Sequence, residues 1–162
     1  MSSTPPVLND AVDGSEVIHQ GVLIVDDNEQ NLELLQAYLD DLGGPVRVVS
    51  DGIQAIESVK KDPPDIILLD IMMPKMSGYQ VCQELKGSEE TKDIPIIMVT
   101  ALSEVGDVER AIDVGADDFL TKPVNKLELL TRVRSLLRVR QLKRNLDDAV
   151  AEVRALRDQA GE

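Results

Sequence analysis

The stretch "DIILLDIMMP", residues 65–74, decides how this chain is read. Its apolar run is dense enough to be buried, yet it ends in Asp70, and the chain breaks two residues past Met72 at Pro74. A carboxylate inside an apolar core is expensive, so Asp70 must either lie at the edge of the core or meet a balancing charge. A strand buried on both faces that ends at the mouth of a parallel sheet satisfies the first condition.

Outward from this run, four more of the same kind recur: "GVLIVDD" (21–27), "VRVVS" (46–50), "IPIIMVT" (94–100) and the short "DDFLT" (117–121). Helical patterns separate them. In 28–44, Leu32, Leu35, Tyr38, Leu39 and Leu42 recur at spacings of three and four, with Asn28 as a cap and Gly43 and Gly44 as a stop. "DGIQAIESVKK" is capped by Asp51 and "SGYQVCQELKG" by Ser77, and "SEVGDVERAIDVG" (103–115) is the fourth helical segment. Five β-runs alternating with helices argue for a doubly wound α/β fold, a five-stranded parallel sheet covered on both faces. The ligand site of such a fold lies outside the carboxyl ends of its strands.

At those ends stand Asp26 and Asp27, Asp70, Thr100, and Thr121 followed by Lys122. Three converging carboxylates repel one another unless a cation intervenes. Mg²⁺ suits an all-oxygen site, keeps several waters and leaves a position for a phosphate oxygen; the carbonyl of Met72 is a further candidate ligand. Lys122 offers an ammonium and Thr100 a hydroxyl donor, so the set suits Asp70 as an acceptor of a phosphoryl group. Pro123 makes the Lys122–Pro123 bond a candidate for the cis form, and Gly78 with the Pro74 turn lets the backbone leave the site sharply. Singly, each residue has a plainer reading: the Asp pair a solvated helix cap, Thr100 a strand end, Lys122 a surface lysine. Their joint placement at the strand ends of one sheet favours the chemistry.

These blocks, "LIVDDN", "DIILLDIMMP", "IPIIMVTA" and "GADDFLTKP", resemble the receiver domains of two-component response regulators in order and in spacing, with 43, 30 and 22 residues separating Asp27, Asp70, Thr100 and Lys122. The resemblance covers about residues 21–137. It implies a flavodoxin-like sheet of order 2-1-3-4-5, Asp70 as phosphoacceptor for a histidine kinase, and Asp27 as a direct Mg²⁺ ligand with Asp26 acting largely through water. It also implies Lys122 as the phosphate-pairing ammonium, Thr100 as the switch hydroxyl, and Phe119 as an aromatic that turns inward with Thr100. The residues two beyond the acceptor and two beyond the switch hydroxyl, Met72 and Leu102, are apolar and unable to hold a hydrolytic water, which implies slow self-dephosphorylation.

Composition bounds the remainder. A chain of 162 residues, 43% hydrophobic, buries one core and little more. Aromatic residues are 2%, which argues against a binder of single-stranded nucleic acid. The chain lacks an apolar run of the roughly 18 residues that a membrane span needs, so a cytoplasmic protein without membrane contact is expected. Cys82, in a helical pattern, is expected to be a small buried hydrophobe. The net charge of −13 divides into +4 on residues 122–162 and −17 on 1–121, which repels phosphate backbones and makes nucleic acid an unfavoured partner. Arg132, Arg134, Arg138, Arg140, Lys143 and Arg144 form an acid-free basic run, expected to be a solvated helix face or a dock for an acidic surface.

Residues 1–20 show no period and read as a flexible lead-in; His19, the single histidine, falls there and is not expected to be a phosphorelay donor. Residues 124–160 continue as one helical pattern in which Val139, Leu142, Leu146, Ala149, Val153, Leu156 and Ala160 alternate at three and four. The expected division is a lead-in over 1–20, a receiver over 21–137 and a helical or coiled-coil extension over 138–162. The extension is expected to form a parallel homodimer, with an amphipathic helix folded back on its own domain as the alternative. The acidic helix carrying Glu104, Asp107, Glu109 and Asp113 is a second candidate dimer face, opposite Arg132, Arg134 and Arg138 of another subunit. The leading function is a phosphorylation-controlled switch, either stand-alone or the front module of a longer effector such as a cyclic-dinucleotide enzyme. A phosphohydrolase is disfavoured because the lone acceptor follows the third β-run instead of the first, and a coiled-coil scaffold because the acidic set is intact.

Overall fold

The computed structural model describes residues 21–102 and 104–161; the expected lead-in, with His19, lies outside the described residues. Five strands, β1 (Val22–Val25), β2 (Val46–Val49), β3 (Ile66–Leu69), β4 (Ile96–Thr100) and β5 (Asp118–Thr121), alternate with α1 (Glu29–Leu39), α2 (Gly52–Lys61), α3 (Gly78–Lys86), α4 (Val105–Asp113) and α5 (Lys126–Ala160). The sheet is parallel throughout, in the order β2-β1-β3-β4-β5. This is the doubly wound fold that the alternation of β-runs and helices predicts.

Local chemistry sets the helix starts. The side chains of Asn28, Asp51, Ser77 and Asn125 accept hydrogen bonds from the backbone N–H groups of Asn31, Gln54, Gln80 and Glu128, satisfying donors that a helix leaves unpaired. After α1 a single 3-10 turn, Asp40–Leu42, ends at Gly43 with φ 72°. Such a left-handed stop favours glycine.

Two apolar layers sandwich the sheet. On one side, Leu23, Val25, Ile67, Leu69, Ile96 and Met98 pack against α2, α3 and Ala111 of α4. On the other, Val22, Ile24, Ile66, Leu68, Ile97 and Val99 meet α1 and the first part of α5. The central strands β1, β3 and β4 are wholly buried, which is why their sequences lose polar alternation. The edge strands β2 and β5 are only partly buried, because each has a neighbour on one side alone.

α5 is one continuous helix of 35 residues, about 52 Å long at 1.5 Å per residue. Leu129, Leu130, Val133 and Leu137 bury its first part. Polar contacts continue further. Arg140 donates to the carbonyls of Pro64 (3.1 Å) and Asp65 (2.8 Å), Lys143 pairs with Asp93 at 2.6 Å, and Arg144 lies 3.9 Å from Asp65. Asp65 and Asp93 precede β3 and β4, so these contacts lie at the amino ends of the strands. From 145 to 160 every residue of the helix is exposed. Arg140, Lys143 and Arg144 of the basic run thus dock on their own body at the amino ends of the strands, and Arg132 pairs with Asp118 of β5 at 3.1 Å.

Candidate functional site

Parallel register assembles the site. Val25 pairs with Leu69 across β1 and β3, so the next residues, Asp26 and Asp70, emerge side by side at the carboxyl edge. Backbone bonds continue the ladder there: the Asp70 N–H donates to the Val25 carbonyl (2.9 Å) and the Asp26 N–H to the Val49 carbonyl (3.2 Å). On the far side, Thr100 and Thr121 pair, and the Lys122 N–H donates to the Thr100 carbonyl at 2.8 Å. The Lys122–Pro123 peptide is cis.

Carboxylate oxygens of Asp26, Asp27 and Asp70 lie within 4.8 Å of one another. Asp26 and Asp70 are 2% and 5% exposed, whereas Asp27 faces solvent. The Lys122 ammonium reaches across, 2.8 Å from Asp26 and 3.4 Å from Asp70. Asp26 further accepts from the Asn28 N–H (2.8 Å), and Asp70 from the Met72 N–H (3.3 Å). Burial pushes the Asp70 carboxyl above its ordinary value; Lys122 pulls it back, and the neighbouring Asp26 raises it again. Three acids and one ammonium within a few ångströms leave the cluster short of positive charge. All the converging side-chain donors are oxygens, one of the carboxylates is open to water, and the gap between them suits a small hard cation.

Thr100 is fully buried, with its Oγ accepting from the Leu102 N–H at 3.3 Å. Phe119, half-buried, packs against the core layer that carries Met98, its pairing partner on β4. Met72 is 62% exposed beside the acids, on the loop that Asp70 begins.

Gly78 and Tyr79 carry structural weight that their residue types alone did not announce. A Cβ on Gly78 would stand 2.2 Å from the Asp70 carbonyl oxygen, so the start of α3 lies directly on the backbone of the buried acid. The Gly78 N–H donates to the Ile71 carbonyl there (2.9 Å). Tyr79 is almost buried, its hydroxyl donates to the Asp107 carbonyl (3.1 Å), and Arg110 lies over its ring at 4.3 Å, which ties α4 to α3. Cys82 is buried, and burial pushes its thiol up to about 11, as an inert core residue requires.

A doubly wound sheet with an acidic mouth defines a class of phosphate and metal-handling folds; comparison with known proteins narrows it. The family description "Response regulator receiver domain" matches residues 22–134. Response regulator PleD of Caulobacter vibrioides is 46% identical over 117 residues, 72% of this chain and 26% of PleD. The DNA-binding dual master transcriptional regulator RpaA of Synechocystis is 44% identical over 117 residues, again 72% of this chain and 48% of RpaA. Among solved structures, the receiver domain of a sensor histidine kinase from Pseudomonas aeruginosa, with a magnesium ion coordinated in its active-site cleft, aligns with a TM-score of 0.68 and 36% identity over 73% of this chain and 97% of that one. The signal receiver domain of a histidine kinase from Syntrophus aciditrophicus aligns with a TM-score of 0.69 and 38% identity, covering 74% and 90%. The chain belongs to the receiver domain family of two-component response regulators. It spans a quarter to a half of the length of these curated relatives. Among the described residues, no helix is long and apolar enough to cross a membrane.

Proposed function

We propose that this receiver accepts a phosphoryl group on Asp70 from the phosphohistidine of a partner kinase. A carboxylate oxygen of Asp70 forms the new P–O bond, the P–N bond breaks, and the histidine leaves with its electron pair. The observation that carries this reading is the position of Asp70: nearly buried, at a strand end, within 4.8 Å of two more carboxylates and 3.4 Å from an ammonium. A buried acid pressed by neighbouring negative charge is poised to give that charge to an electrophile.

Asp26, Asp27 and Asp70 would hold Mg²⁺, with the Met72 carbonyl as a further ligand. Bound there, the ion supplies positive charge to the phosphoryl oxygens. Lys122 adds a second positive charge once its contact with Asp70 is exchanged for the phosphate. Thr100 lies at the adjacent strand end and donates its hydroxyl to the phosphate, and Phe119 follows it inward against the core layer. Catalysis is confined to the protein's own phosphorylation and dephosphorylation, in the cytoplasm.

The output is a changed protein contact. α5 supplies it: its exposed apolar stripe is proposed to make a homodimer, in preference to the α4 face, because Arg132 is already held in its own chain by Asp118 at 3.1 Å. The proposed functional division remains a receiver over 21–137 followed by an extension. A second reading, in which the receiver regulates a further effector domain, is favoured by the greater length of the relatives and by a helix that runs beyond the body.

Incubation with acetyl phosphate and Mg²⁺, followed by intact mass, tests the proposal. A single added phosphate that is lost in Asp70→Asn is the expected result. Steady turnover of phosphomonoesters would mark an enzyme instead, and an unchanged mass would overturn the reading.

A further inference from the structure

The free half of α5 carries information about how two copies would meet. Val139, Leu142, Leu146, Val153 and Leu156 are each 59–63% exposed, and they alternate at three and four along one continuous helix. That spacing is a heptad seam, with Val139, Leu146 and Val153 in the first core position and Leu142, Ala149 and Leu156 in the second. β-branched residues in the first position and leucine in the second favour two parallel strands. Leu146 and Ala149 depart from that pattern at the middle layer.

Charge decides the orientation. In a parallel, in-register pair, the residue flanking one core layer meets the residue five positions further along the other helix. Glu152 then faces Arg157 of the second copy, twice per dimer, and both are exposed. One heptad earlier the same rule sets Asn145 against Val150, which carry no charge, and two heptads earlier it sets Arg138 against Lys143, a like-charge pair. The fold removes that conflict, because the Lys143 ammonium is bound to Asp93 of its own body at 2.6 Å and is directed away from the seam. In the antiparallel alternative, Val139, Leu142 and Leu146 would layer with Leu156, Val153 and Ala149, and Glu152 would flank Asn145 with no opposite charge to meet.

We infer that α5 joins two copies as a parallel, in-register coiled coil oriented by Glu152 and Arg157, with Arg140, Lys143 and Arg144 holding each body at the same end of the seam. This rests on the homodimer reading above and on the parallel arrangement expected from the sequence, and adds the register and the charged pair that fixes it. The basic dock fixes how α5 is rotated on the body, so Val139 and Leu142 are turned outward where the seam begins.

Two variants of the full chain test it. Val153→Cys, oxidised, yields a disulfide-linked dimer, while the parent does not, since Cys82 is buried. Glu152→Lys weakens the dimer about tenfold in sedimentation, and Glu152→Lys combined with Arg157→Glu restores it to within about twofold. All measurements are made with and without acetyl phosphate and Mg²⁺. A dimer that ignores the charge exchange, or that cross-links in a mixture of Leu146→Cys and Ala149→Cys chains but not at Val153, overturns this inference and leaves the homodimer reading standing. A monomer under both conditions, at concentrations into the hundreds of micromolar, overturns both; phosphate acceptance on Asp70 is independent of either outcome.

Discussion

The two ends of the sheet treat acidic residues in opposite ways. At the carboxyl end, Asp26, Asp27 and Asp70 crowd together, and one lysine serves Asp26 and Asp70. At the amino end, Asp93 has Lys143, and Asp65 has Arg144 as well as the Gly21 N–H at 3.1 Å. The first arrangement is left wanting positive charge, which suits the phosphoryl acceptance proposed for Asp70. The second is balanced within the chain, and it serves to seat a helix. Similar residue types therefore do different work according to whether the fold supplies their counter-charges.

The contrast can be broken at either end, and the largest effect is expected at Gly78. Gly78→Ala drives a methyl group into the Asp70 carbonyl, and overpacking against backbone is expected to cost about 3 kcal/mol, read by denaturant unfolding, with phosphate acceptance falling alongside. Next comes the cation. At a hundredfold excess over its Kd, Mg²⁺ is expected to stabilise the protein by about 2.7 kcal/mol, a rise of several degrees in Tm by calorimetry. Asp27→Ala removes most of that rise, and Arg140→Ala leaves it intact; equal shifts in both variants would erase the distinction between the two ends.

Met72→Asn, which puts a hydrogen-bonding side chain on the exposed loop beside Asp70, is expected to speed loss of the phosphate about tenfold, or ~1.4 kcal/mol in the barrier. Intact-mass time courses measure it, and an unchanged rate would show that an apolar residue there is not what preserves the phosphate. At the balanced end, Arg140→Ala loses two bonds to backbone carbonyls and is expected to cost about 1 kcal/mol. Lys143→Ala is the mildest, about 0.5 kcal/mol or less, because its pair with Asp93 is half-exposed. The hydrogen bond from Lys143 holds the Asp93 carboxyl below its ordinary value. That small contribution is therefore present at neutral pH and disappears as pH falls below about 4, where parent and variant stabilities should converge.

Much of this was legible without coordinates. The strands of the core announce themselves because burial on both faces removes polar alternation, and the caps Asn28, Asp51 and Ser77 mark helix starts through their own side chains. The acids at strand ends could be listed because a parallel sheet sends all its carboxyl ends to one side. Gly78 was legible only as a turn residue: the 2.2 Å approach that its missing side chain permits is a relation between two segments. The basic run of α5 was equally ambiguous, since spacing along a helix says which residues share a face and nothing about what that face meets.

By itself, then, the chain's order of residues determined the strand and helix alternation, the acidic edge and the apolar seam of α5, all of which follow from short-range periodicity and from residue chemistry. Only the tertiary structure decided that one lysine bridges two of three acids and that Arg140, Lys143 and Arg144 are claimed by the body. Those pairings join residues more than fifty positions apart or on separate elements, and only a folded sheet, by bringing one strand's end beside another's, can set the distances on which charge acts.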